Sequence, residues 1–301
     1  MPFYQYSFII PDNFVSKSIK ELLTRWLIPR SIRGLLRQKK RLLLNGQNIP
    51  TSEFLLPGDK LSFCLAVSDF SKQQNYLPNA EQQLQILFES EDYLLVNKPA
   101  GMKMHPHSPK ETDTLLNYVE AQLQDHFSRA CLAHAFMVHR IDRDTSGIVI
   151  VAKNPLAVGI LDQLLAQKRI KRTYLAWVSG NLENKKGTIN QAISVDPLDP
   201  YKRIVCQTGQ KAITHWTKIH TVYQNTLVRI NLETGRTHQI RVHFASIGHP
   251  IVGDRLYNGP VYGRLLLHSA TIKLPDLFSD YGRIKTISTP LAADFPRQLL
   301  L

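Results

Sequence analysis

The sequence predicts an α+β fold in two parts, a small basic module followed by a larger domain of interleaved strands and helices. Three observations carry this expectation. Strand-like and helix-like segments follow one another without the regular strand–helix–strand alternation of a doubly wound sheet. A polar stretch from Ser68 to Leu84, rich in Ser, Gln and Asn and lacking any apolar period, separates residues 1–67 from 85–301. Finally, nine cations against the single acid Glu21 lie between residues 17 and 41, which accounts for +8 of the chain's net charge of +13.

In the first part, Lys17 to Leu27 repeats Ile19, Leu22, Leu23, Trp26 and Leu27 at helical spacing. Ser31 to Gln38 is a second helix, separated from the first by Pro29. Arg41 to Leu44 reads as a strand, Asn45-Gly46 and Pro57-Gly58-Asp59 as turns, and Lys60 to Val67 as another strand. The second part opens with strands at Ile86-Leu87-Phe88 and Tyr93 to Val96, then a helix from Thr112 to Leu123. The run Ile148-Val149-Ile150-Val151 is a buried strand. Pro155 begins a helix reaching Lys168, as suits a first-turn proline. Strands are expected over Thr173–Val178, Ala212–Val222 and Leu227–Leu232, and a last helix opening at Thr237 as N-cap. Ile240, Phe244 and Ile247 then face the core, while His238, Arg241 and Ala245 share a neighbouring stripe.

Composition narrows the function classes. No apolar run reaches the ~18 residues of a membrane span, and the N-terminus lacks the basic segment and apolar core of a signal peptide. Cys64, Cys131 and Cys206 are odd in number and far apart, so a disulfide framework is not expected and a reducing cytoplasm is. The histidine pairs His105/His107, His134/His139 and His238/His243 lack metal-site spacing. A basic patch this concentrated suits a polyanion, and RNA or DNA is the commonest such partner. The patch residues singled out for phosphate contact are Arg33, Arg37, Lys39, Lys40 and Arg41.

The most informative run is His139-Arg140-Ile141-Asp142-Arg143-Asp144-Thr145-Ser146-Gly147. It sets the Asp142 carboxylate between two guanidiniums, and a nearby permanent cation favours the ionised, acceptor-only form. Local chemistry also fits a simpler role, with Asp142 or Asp144 capping the turn ahead of the strand.

Four blocks, in order, decide between these roles, because together they resemble RluA-type pseudouridine synthases. The run above resembles that family's His-Arg-Leu-Asp then Thr-Ser-Gly signature, with Ile141 in place of Leu. Asn97-Lys98-Pro99-Ala100-Gly101 with His105-Pro106 resembles the first motif, and Arg172-Thr173-Tyr174-Leu175-Ala176 the Lys-x-Tyr motif, with Arg172 for Lys. Gly235 to His243, continuing into Gly248-His249-Pro250 and Gly253-Asp254, resembles the third. The first 67 residues are similar to an S4-type RNA-binding domain, although the usual Arg-Leu-Asp opening is absent.

The resemblance implies an α+β mixed-sheet catalytic domain that isomerises uridine in RNA, with ribosomal RNA the favoured target and transfer RNA the alternative. An idle RNA-binding relative of the same fold would have no chemical reason to keep Asp142, Tyr174 and Arg241 together. The reaction moves the glycosidic bond from N1 to C5 with nothing gained or lost, so it implies no cofactor and no metal; a monomer is expected, with no membrane partner. Asp142 is implied as the catalytic carboxylate, and both attack on C1′ and removal of a ribose proton fit it. Tyr174 is implied as the active-site tyrosine and Arg241 as the partner of Asp142. Arg140 would hold the flipped nucleotide. Arg143, the cluster Lys168, Arg169, Lys171 and Arg172, and the pair His238 and Gln239 are expected to contact RNA.

Overall fold

In the computed structural model, residues 3–15, 17–70, 76–126, 132–279, 283–292 and 294–296 are described. Cys131 and residues 71–75 of the expected linker lie outside them; Cys64 and Cys206 are free thiols. The N-terminal module comprises strands β1 (Phe3–Ile9), β2 (Leu42–Leu44), β3 (Gln47–Asn48) and β4 (Lys60–Ala66) with helices α1 (Ile19–Arg25) and α2 (Arg30–Gln38). Its antiparallel sheet runs β1-β4-β2-β3. The helices bury Ile19, Leu22, Leu23, Ile32 and Leu36 in one core with Leu61, Phe63 and Leu65 of β4. Ser18 caps α1 and exchanges bonds with Glu21 in a capping box. β1 was not expected from the sequence, although its residues alternate between exposed and half-buried.

The larger domain contains β5 (Gln85–Glu89), β6 (Tyr93–Lys98), α3 (Leu115–His126), β7 (Phe136–Met137), β8 (Ser146–Ala152), α4 (Pro155–Ala166) and β9 (Lys171–Ser179). After these come β10 (Lys186–Asn190), the hairpin β11 (Ile193–Val195) and β12 (Arg203–Val205), β13 (Ile213–Val222) and β14 (Asn225–Leu232). Helix α5 (Gln239–Ser246) and strands β15 (Leu267–Pro275) and β16 (Ile284–Ser288) complete it. One large sheet runs β10-β13-β14-β9-β15-β8-β6-β5. β15 pairs parallel with β8 and antiparallel with β9, so the sheet is mixed and the fold is α+β.

The apolar run of β8 is buried on both faces and divides two cores. Ile148 and Ile150 pack with α4 and the N-terminal module, whereas Val149 and Val151 pack with α3 and α5. Alternation with period two sends successive side chains to opposite sides. Asn154 caps α4 by accepting from the Ala157 N–H at 2.8 Å, with Pro155 at the first position. The helix stops at Ala166, two residues short of Lys168, which sits at φ 56° in the turn that ends it.

The N-terminal module is packed firmly onto this domain. Phe8, Trp26 and Phe278 cluster with ring centroids 4.6–5.7 Å apart. Gln163 donates to the Leu27 carbonyl at 2.7 Å and the Tyr6 hydroxyl to Asp92 at 3.1 Å. The end of the expected linker is also fastened: Leu84 exchanges two 3.1 Å bonds with the Gln122 side chain on α3.

Candidate active site

Asp142 lies in the turn ahead of β8, and the motif loop after β6 holds that turn in place. Lys98 has no exposed surface and donates to the carbonyls of Pro99, Met102 and Arg143 at 2.9, 2.8 and 2.7 Å. Burial pushes its pKa down to about 7 against the pull of Asp144 and Asp142, although the three carbonyls match the three protons of an ammonium. Gly101 N–H donates to the Arg143 carbonyl and Arg143 Nε to the Gly101 carbonyl, both at 2.9 Å. Lys98 was not singled out in the sequence, although its motif was.

Strand order brings Tyr174 to this turn. β15 lies between β8 and β9, pairing Ser269 with Gly147 on one side and with Tyr174 on the other. Gly147 sits at φ 109°, and a Cβ there would come within 2.2 Å of the Ser269 carbonyl oxygen, so glycine alone allows this approach. Arg264 and His268 brace the same turn. Arg264 donates to the Ser146 hydroxyl at 2.6 Å, and that hydroxyl is hydrogen-bonded to His268 Nδ1 at 2.8 Å. Asp142, Tyr174, Arg172 and Arg241 line one cavity of about 80 Å³. It lies beside an open cleft of about 1010 Å³ that also reaches Asp142 and is lined by Arg140, Arg143, Arg203 and Arg255. Burial holds the Tyr174 phenol above its ordinary pKa, so it is protonated at neutral pH.

The cation facing Asp142 comes from far along the chain. Arg241 Nη1 lies 3.5 Å from Asp142 Oδ2, whereas the flanking Arg140 and Arg143 form no ion pair with it. Arg241 has a tighter partner that sequence reading missed: Nε and Nη2 each donate to the Asp254 carboxylate at 2.8 Å. Burial disfavours the guanidinium charge, but the bonds to Asp254 and the two carboxylates outweigh it and hold the pKa above its ordinary value. Gly253 fits here because a Cβ would come within 1.8 Å of the Arg264 carbonyl oxygen.

Two expectations around α5 need correction. The N-cap is His238, not Thr237, and it sits in the left-handed region at φ 56° without a side-chain cap bond. Gln239 is only 2% exposed and faces inward. Its carboxamide accepts from Thr234 Oγ1 and Arg236 N–H and donates to the Ile213 carbonyl and Thr214 Oγ1, at 2.8–3.0 Å. Every donor and acceptor of that amide is used inside the protein, leaving none for RNA. His238 does line the cleft.

The basic clusters do not act as units. Alternation along β9 sends Arg172 into the cavity and leaves Lys171 exposed. Lys168 pairs with Glu233 at 2.7 Å, and Arg169 lies among Arg25, Trp26 and Phe278 at the junction with the N-terminal module. In that module Lys39 and Arg41 pair with Asp69 at 2.5 and 2.6 Å, and Arg33 donates to the Thr24 hydroxyl. Arg37 and Lys40 are exposed. Asp69 sits well beyond the charge run, so folding partly neutralises a patch that is strongly cationic in the sequence.

A carboxylate aimed by a guanidinium, a protonated buried tyrosine and an arginine-lined cleft suit chemistry on a nucleoside extruded from its stack. Comparison with known proteins agrees. Residues 92–246 match the RNA pseudouridylate synthase family, and residues 6–61 match the RluD ribosomal pseudouridine synthase N-terminal domain. The chain is 36% identical over 282 residues to an uncharacterized RNA pseudouridine synthase of Bacillus subtilis, covering 92% of this chain and 87% of that one. It is 35% identical over 261 residues to the ribosomal large subunit pseudouridine synthase D of Nitrosomonas europaea, covering 85% of this chain and 71% of the relative. Among solved structures, human RNA pseudouridylate synthase domain containing 1 superposes with a TM-score of 0.57 at 25% identity, covering 74% of this chain and 88% of that one.

Proposed function

Because the chain belongs to the RNA pseudouridylate synthase family, we propose that it converts specific uridines of large-subunit ribosomal RNA to pseudouridine, with Asp142 as the reacting carboxylate. The ribosomal target is supported by the names of the relative in Nitrosomonas europaea and of the N-terminal domain model. A cytoplasmic monomer is the form that suits this role. Among the described residues, no helix is long and apolar enough to cross a membrane.

The observation that carries the catalytic reading is that Asp142, Tyr174 and Arg241 line one cavity although they lie far apart in the chain. The target uridine enters from the arginine-lined cleft, flipped from its stack, and Arg140 at the rim holds the backbone or the vacated space. The C1′–N1 bond breaks while Asp142 supplies the negative charge at the sugar. The freed uracil turns, C5 bonds to C1′, and the proton lost from C5 is balanced by one gained at N1. Tyr174 offers a stacking face in either base orientation, and its phenol accepts the C5 proton only by passing on its own. Arg241, anchored by Asp254, keeps the Asp142 carboxylate aimed.

Two measurements test this. Asp142→Asn should abolish pseudouridine formation and leave RNA affinity nearly intact; conversion at the normal rate in that variant overturns the assignment. Pseudouridine mapping of total RNA from cells with and without the protein should lose sites in large-subunit ribosomal RNA. Loss confined to transfer RNA would overturn the target.

A further inference from the structure

Tyr257, in the short turn Arg255–Tyr257, touches three parts of the cleft at once. Its hydroxyl accepts from the Arg203 backbone N–H on β12 at 2.9 Å and lies 3.0 Å from His238 Nδ1. Its ring carries the Arg241 guanidinium, whose Cζ is 5.1 Å from the centroid, and meets the His238 ring edge-on at 5.7 Å.

A backbone N–H only donates, so the phenol oxygen accepts from Arg203, and the same hydroxyl is hydrogen-bonded to His238 Nδ1. The bond also meets a local need, since His238 is a non-glycine residue held at φ 56°.

Arg203 belongs to the hairpin β11–β12, which overhangs the cleft. Leu198 and Tyr201 in its connecting loop are 93% and 80% exposed, and Tyr201 and Arg203 line the same cleft as Asp142. At its root, Ile193 and Val205 pack with Val242 of α5 and with Tyr257.

We propose that Tyr257 is a positioning residue that latches the β11–β12 hairpin to α5, so that the RNA-facing hairpin and the Asp142–Arg241 pair are set as one unit. This rests on the reading of Asp142 and Arg241 as the reacting pair. The hydroxyl governs the hairpin and the ring governs Arg241, so the two contributions separate by substitution. Tyr257→Phe keeps the ring and removes the hydroxyl, while Tyr257→Leu removes both.

Deuterium exchange across residues 196–206 of the RNA-free protein should accelerate about tenfold in Tyr257→Phe, as the loss of roughly one net hydrogen bond implies. In steady-state turnover of unmodified ribosomal RNA, Tyr257→Phe should raise KM about five- to tenfold with kcat changed less than about twofold, and Tyr257→Leu should lower kcat as well. A purely structural tyrosine would slow both variants without this split. Unchanged exchange in Tyr257→Phe, or a kcat loss equal in the two variants, overturns the proposal. If the unaltered protein modifies no RNA, the functional reading fails, and the exchange measurement still judges the latch.

Discussion

Arg241 and Asp254 form a buried, two-pronged ion pair, and Asp142 sits on the remaining nitrogen of the same guanidinium at 3.5 Å. The tighter contact is thus to Asp254 and not to Asp142, the carboxylate proposed to react. The arginine is held from behind and presented to Asp142, leaving the Asp142 carboxylate uncommitted to a short ion pair.

Asp254→Ala should therefore be costly twice over. A buried guanidinium losing its partner costs about 3–5 kcal/mol of stability, read as a shift in the urea midpoint. The released Arg241 can close on Asp142, so kcat should fall with RNA affinity little changed. A variant of normal stability and turnover would show that Asp254 does not hold Arg241.

Lys98 links stability to pH. Its folded pKa of about 7 lies below the unfolded value, so between about pH 7 and 10.5 the unfolded chain binds more protons than the folded one. Stability from this group accordingly rises with pH through that window and is lowest below pH 7. Lys98→Met should flatten that part of the profile. It should also destabilise by about 1–3 kcal/mol for each buried carbonyl left without a donor, as measured by urea unfolding from pH 6 to 10.

Gly147→Ala tests the seam between β8 and β15. The left-handed backbone alone costs about 1–3 kcal/mol for a non-glycine residue, and the Ser269 carbonyl must move as well. Melting temperature and activity should both drop sharply, since the seam joins the Asp142 turn to Tyr174.

The docked N-terminal module makes a further prediction. Trp26→Ala should cost about 3–5 kcal/mol and lower the single unfolding transition of the whole chain. Deleting residues 1–67 should yield an aggregating fragment, because the faces of α4 and β8 that they cover are apolar. Two separate calorimetric transitions in the full-length protein would contradict this.

Phosphate contact should be uneven across the basic module. Arg37→Ala and Lys40→Ala should each reduce the salt slope of RNA binding by about one. Lys39→Ala and Arg41→Ala should do less, because both already share the Asp69 carboxylate.

What the sequence made legible was local. The apolar run 148–151, the helix start at Pro155 and the motif residues Asp142, Tyr174 and Arg241 are signalled by neighbours in the chain. What it hid depends on distant pairing. β15 interrupts its apolar run with His268 and Ser269, and its place between β8 and β9 follows from parallel pairing that no local pattern announces. Asp254 looks like an ordinary loop acid until the fold sets it against Arg241, and Asp69 like a linker residue until it meets Lys39 and Arg41. The same limit explains Gln239, whose four partners lie in two segments, Ile213 and Thr214 on β13 and Thr234 and Arg236 in the loop before α5.

The insertion of β15 between β8 and β9 also has a consequence for biosynthesis. Asp142 and Tyr174 leave a translating ribosome before the strand that seats them against each other, since β15 begins only at Leu267. A nascent chain thus carries both side chains before it owns the strand that sets them side by side, and the cavity they share forms only once β15 has been inserted.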